Sequence, residues 1–125
     1  MTMKLRDLTG IGIALLAAGT AIAKPVPPAT PSGKPIDCIN TQDIRETRVR
    51  DDSIIDFYLN GGRTYRNTLP FKCSGLGFNQ GFAYQTSINR LCSVDIITVI
   101  QQGGGPMRGA SCGLGKFQPV TGLPR

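Results

Sequence analysis

The chain has 125 residues, with 14 lysines and arginines against 8 aspartates and glutamates, four cysteines, 16 glycines, and neither histidine nor tryptophan. That length suits one domain with a modest core, small enough for cross-links to matter. The missing histidine excludes Ser-His and Cys-His catalysis; with no Cys-x-x-Cys pair either, the pattern argues against a zinc site, and no cofactor is called for.

Lys4 and Arg6 precede an apolar stretch without charge that ends in Ala21-Ile22-Ala23. A basic start, an apolar middle and small residues at the end make a signal peptide, an N-terminal helix over residues 1–23 cut between Ala23 and Lys24. Gly10, Gly12, Gly19 and Thr20 dilute the stretch, whereas a spanning helix needs about 20 strongly apolar residues. No cysteine follows it directly for acylation. The expected product is a soluble, still basic bacterial domain, periplasmic or secreted, with no membrane span left after cleavage.

Cys38, Cys73, Cys92 and Cys112 all follow that cut, and an even count in an exported chain predicts two disulfides. Three pairings are possible. The preferred one nests Cys73–Cys92 as a local clamp inside Cys38–Cys112.

Residues 24–35 hold five prolines and read as an extended spacer ahead of a single β-rich domain over residues 36–125. A short helical turn is expected over residues 38–43, then a strand over 44–50 with Thr47 and Val49 on one face and Arg48 and Arg50 on the other. Asp51-Asp52 turns the chain into the clearest strand, residues 54–59, with Ile55, Phe57 and Leu59 facing inward and Asp56 and Tyr58 on the polar face. Asn60-Gly61-Gly62 suits a hairpin turn that needs positive φ, and residues 63–69 return with Tyr65, Asn67 and Leu69 on a common face. Pro70 stops this third strand of a meander.

A glycine-rich loop over residues 71–81 carries Cys73, a brief strand follows at 82–85, and residues 91–100 form a β-branched run continuous enough to be a central strand. Gly103-Gly104-Gly105-Pro106 interrupts the chain, and the last strand is expected over residues 115–120. Several short strands with little helix predict a mainly β fold: a small antiparallel barrel or curled sheet, the oligonucleotide-binding fold being one form, with a β-sandwich as the alternative. Closure would remove exposed strand edges.

Gly62-Arg63-Thr64-Tyr65-Arg66-Asn67, Leu69-Pro70-Phe71-Lys72-Cys73, Asn89-Arg90-Leu91-Cys92-Ser93-Val94-Asp95-Ile96-Ile97 and Ala110-Ser111-Cys112-Gly113-Leu114-Gly115-Lys116-Phe117 together resemble a family of small exported bacterial proteins with a cysteine-containing domain of unknown function. The resemblance runs over residues 38–120. It implies export and carries no activity or ligand.

Asp95 interrupts an apolar run, where an unpaired carboxylate is costly. Backbone amides, Arg63 or Arg90 are its expected partners, and a general base or ligand group is its functional alternative. Gly113-Leu114-Gly115-Lys116 lacks the rest of a phosphate loop and reads as a turn. Arg48, Arg50 and Arg66, near Tyr58 and Tyr65, form a candidate basic face for a polyanion, whether glycan, lipid or nucleic acid; interleaved Glu46, Asp51, Asp52 and Asp56 make a solvated mixed-charge surface the plainer account. The leading expectation is a non-enzymatic binding or structural module of the cell envelope, ahead of a polyanion binder and of a small enzyme using Asp95.

Overall fold

The structure, a computed structural model, describes residues 25–101 and 107–124, with the backbone alone at Met107. The expected signal peptide, its expected cleavage site at Ala23 and Lys24, and the glycine run 103–105 lie outside the described residues. The chain forms β1 (Thr30–Pro31), β2 (Cys38–Asn40), a 3-10 turn (Thr41–Asp43), β3 (Ile44–Val49), β4 (Ile54–Leu59), a second 3-10 turn (Asn60–Gly62), β5 (Thr64–Thr68), a one-turn helix α1 (Leu76–Asn79), β6 (Phe82–Tyr84), β7 (Arg90–Cys92), β8 (Ile96–Gln101), β9 (Met107–Gly113) and β10 (Phe117–Thr121). Among the described residues no helix is long and apolar enough to cross a membrane.

The meander is present as β3-β4-β5, entirely antiparallel. Its second turn places Gly61 and Gly62 at φ of 82° and 79°, a region that glycine enters without steric penalty. Asn40 caps the first 3-10 turn by accepting from the Gln42 amide at 2.9 Å, so the expected helical turn is half strand and half 3-10. The meander extends through β10 and β1 into a five-stranded sheet ordered β1-β10-β5-β4-β3. A three-stranded sheet β6-β8-β9 and a two-stranded ladder β2-β7 complete the framework.

Ile55, Phe57 and Leu59 are buried, as their alternation predicts. The Phe57 ring meets Phe117 of β10 edge-on at 5.3 Å and Phe82 of β6 at 6.3 Å, joining the large sheet to the small one. Full burial of one such side chain contributes about 2–3 kcal/mol. Ile39, Leu91, Leu76, Ile97 and Val99 belong to the same cluster, so the ladder, the α1 loop and β8 all close on one core.

The fold is mainly β, but it is no closed barrel. The β-branched run that was to supply one central strand breaks at residues 93–95, where the Asp95 amide donates to the Cys92 carbonyl at 2.9 Å. Its halves pair in different directions, β7 with β2 and β8 with β6 and β9. The edges are guarded without closure: β3 carries exposed Arg45, Glu46 and Arg48, and β1 is two residues long and ends in proline, both recognised ways of blunting an edge.

Part of the supposed spacer belongs to this sheet. Thr30 and Pro31 lie opposite Thr121 and Val120, and Ile36 exchanges backbone hydrogen bonds with Phe117 at 2.8 and 2.9 Å. A proline-rich stretch fits there because an outermost strand needs few of its own amides.

Two disulfides are present, Cys38–Cys92 and Cys73–Cys112, which corrects the nested pairing. Strand register decides it: Cys38 sits directly opposite Cys92 across β2 and β7, while β9 carries Cys112 beside Ile97 toward the buried Cys73. With loops of 54 and 39 residues, each bridge adds about 4 kcal/mol in the chain-entropy picture, as an upper value. Peptide mapping of the unreduced protein is expected to recover these two pairs; a linked Cys73–Cys92 peptide would overturn the arrangement.

Candidate functional site

Alternation on β4 sends Asp56 and Tyr58 away from the core, yet neither is on a solvated face. Asp56 is 0% exposed. Arg50, just beyond β3, donates through Nε to Asp56 Oδ2 at 2.8 Å; Arg66 of β5 donates through Nε to Oδ1 at 2.8 Å and through Nη2 to Oδ2 at 3.0 Å. The register puts Arg66 opposite Asp56, so the pairing is built into the meander.

The segments around Pro27 and Pro124 cover the cluster. Arg66 Nη2 also donates to the Pro27 carbonyl at 2.9 Å, Arg50 Nη2 donates to the Tyr58 hydroxyl at 2.9 Å, and that hydroxyl donates to the Pro124 carbonyl at 2.7 Å. The hydrogen bond to Asp56 raises the Arg66 pKa against the opposing pull of burial. A carboxylate held by three guanidinium N–H groups has no oxygen turned toward a substrate. This cluster is a lock on the fold.

The candidate basic face is therefore largely internal. Arg50 and Arg66 are consumed by Asp56, and the exposed Arg48 is paired with Glu46, whose hydrogen bond and charge raise its pKa. Beside them an open groove of about 760 Å³ is lined by Arg48, Arg50, Lys72, Asp51, Asp52 and Phe78, among others. Its carboxylates are engaged: Asp51 Oδ1 accepts from the Ser53 amide at 2.8 Å and Asp52 Oδ1 from the Gly77 amide at 2.7 Å.

Asp95 is half-buried, and its Oδ2 accepts from the Cys92 amide at 2.6 Å. A backbone amide thus stabilises it, one of the expected partners. Arg63, which follows the hairpin turn, lies 3.4 Å from Asp43, and Arg90 opens β7 opposite Asn40; no ion pair joins either to Asp95 among the described residues.

The structure instead brings Asp95 together with Tyr84, Gln85, Thr98 and Arg108 around a second open groove of about 380 Å³. Ile97 and Val99 point into the core, which turns Ile96 and Thr98 of β8 outward. Thr98 Oγ1 lies 3.1 Å from Ser111 Oγ across β9. Its walls are mixed: beside these polar groups stand Val94, 83% exposed, and Ile96, 54% exposed. Such a surface offers one cation, one carboxylate, hydroxyls and exposed methyl groups to a small ligand or chain segment.

Arg108 and Thr98 were missed because their strand context was hidden. The β-branched run masks the in-out alternation of β8, and β9 (Met107–Gly113) has glycine, alanine and serine where strand formers are usual. Among the described residues there is no group of three or more Cys, Asp or Glu side chains that could hold a metal ion.

No family model, curated protein or solved structure matches the chain.

Proposed function

We propose that the chain is the precursor of an exported, disulfide-held, non-enzymatic binding module of the bacterial envelope, periplasmic or released, whose groove acts by recognition. The observation that carries this reading is the open groove beside Asp95, where exposed Val94 and Ile96 adjoin Tyr84, Thr98 and Arg108. Exposed apolar side chains next to a few convergent polar groups favour recognition. Asp95 has one oxygen committed to its own turn, which weighs against a general base. Two disulfides are compatible with an oxidising compartment.

The test is cosedimentation of the oxidised mature protein, residues 24–125, with purified peptidoglycan sacculi, lipopolysaccharide and phospholipid vesicles. One fraction is expected to retain the protein, and Ile96→Ser with Arg108→Glu to lower retention about tenfold with an unchanged urea midpoint. Equal retention of wild type and variant, or none on any fraction, overturns the reading.

A polyanion-binding role has a specific observation behind it, the grouping of Arg48, Arg50 and Lys72 along the larger groove. Arg50 supports the fold, so the discriminating variant is Arg48→Ala with Lys72→Ala. Salt-sensitive heparin retention lost in that variant favours this role; retention that survives it removes this groove from consideration.

A further inference from the structure

The two disulfides occupy different surroundings. Cys73 is wholly buried within the apolar cluster, and Cys112, itself half-buried, packs against that cluster. Cys38 and Cys92 are both half-buried and stand outside that cluster, at one end of a ladder only three residue pairs long. Thiol–disulfide exchange needs a thiolate to reach a sulfur, so access separates reactive from inert bridges.

What each bridge holds differs too. Cys73–Cys112 fastens the loop bearing the fully buried Leu76 to β9, so opening it loosens the core. The two strands joined by Cys38–Cys92 have other ties: buried Ile39 and Leu91, the Thr41 amide on the Asn89 carbonyl at 3.1 Å, and the Ser93 amide on the Asp37 carbonyl at 2.8 Å. These ties do not depend on the bridge, so the reduced form is expected to keep its fold and to reoxidise in register.

We propose that Cys38–Cys92 is a thiol–disulfide exchange site whose reaction partner is an extracytoplasmic protein dithiol, whereas Cys73–Cys112 is a structural bridge that stays closed. A thiolate of the dithiol attacks one sulfur, forming a mixed disulfide and expelling the other cysteine as a thiolate that takes up a proton. The second thiol of the donor then attacks the mixed disulfide. The donor leaves as a disulfide and Cys38 and Cys92 as two thiols, so two electrons and two protons pass to this chain. The inference rests on the exported address proposed above and not on what the groove binds.

The test exposes the oxidised mature protein, without denaturant, to reduced dithiothreitol and in parallel to a reduced thioredoxin-fold dithiol. Samples are alkylated at intervals and mapped by mass spectrometry. Both reagents are expected to open Cys38–Cys92 at least tenfold faster than Cys73–Cys112 while near-ultraviolet circular dichroism stays native. Equal rates, earlier opening of Cys73–Cys112, or no reaction with the protein dithiol overturns the proposal. Cys38→Ser with Cys92→Ser supplies a second check: it is expected to fold with Cys73–Cys112 intact, and failure to fold makes the accessible bridge structural and refutes the assignment.

Discussion

Asp56→Ala is expected to cost about 3–5 kcal/mol, the usual penalty for removing one partner of a buried ion pair. A small domain has about 5–15 kcal/mol in total, so the variant should be marginal or unfolded at room temperature. The side chains of Arg50 and Arg66 are only 13% and 15% exposed, and without the carboxylate two guanidinium groups face each other with little water. Loss also spreads to the segments at Pro27 and Pro124, because Arg66 carries the Pro27 carbonyl and Arg50 orients the hydroxyl that reaches Pro124. Urea unfolding measures the cost, and limited proteolysis ahead of β1 reports release of the N-terminal segment. Replacing all three charges together, Arg50→Met, Asp56→Leu and Arg66→Met, is expected to recover much of the loss, since the penalty comes from unpaired charge. If Asp56→Ala alone costs less than about 1 kcal/mol, the triad is an ordinary surface pair.

Alkali should leave this interaction intact. The raised Arg66 pKa means that its stabilisation is complete below the ordinary guanidinium value and fades only as pH rises through the higher folded one.

What could be read from the sequence follows the range over which each signal acts. Residues 54–59 were legible as a strand because in-out alternation and a flanking glycine turn are local, and β4 has those bounds. Asp56 itself reads as solvated in the sequence: a carboxylate alternating with Ile55 and Phe57 looks exposed until Arg50, Arg66 and the segments at Pro27 and Pro124 fold over it. The cysteine pairing was illegible for a related reason. Nearness along the chain favoured Cys73–Cys92, while the pairing of β2 with β7 depends on where the apolar run breaks, at a turn held by Asp95. That residue stood out correctly as a carboxylate needing a partner, but the groove around it requires Arg108 on β9, a strand made by pairing with β8 and not by its own residues.

Gly115→Ala is the second substitution expected to be severe, at about 3–5 kcal/mol. Gly115 looked like a turn glycine, but its backbone does not have positive φ; the constraint is close approach. A Cβ there would lie 2.2 Å from the Thr68 carbonyl oxygen, a backbone atom of β5, which is pinned between β4 and β10. Since that oxygen cannot step aside, residue 115 must retreat. Retreat breaks a two-way clamp: Asn67 Nδ2 donates to the Gly115 carbonyl at 2.7 Å, and the Gly115 amide donates to Asn67 Oδ1 at 2.8 Å. Asn67 is fully buried, so its amide would lose both partners, at about 1–3 kcal/mol for a stranded polar group, on top of about 1–3 kcal/mol of overpacking. Gly113→Ala is the matched control, because the nearest atom to its added methyl is Ile96 Cδ1 at 4.0 Å, and it should change stability by no more than about 0.5 kcal/mol. Urea midpoints for the two variants decide the matter: if Gly115→Ala is as stable as Gly113→Ala, the close packing of residue 115 on β5 is wrong, and with it the clamp that holds β10 against the meander.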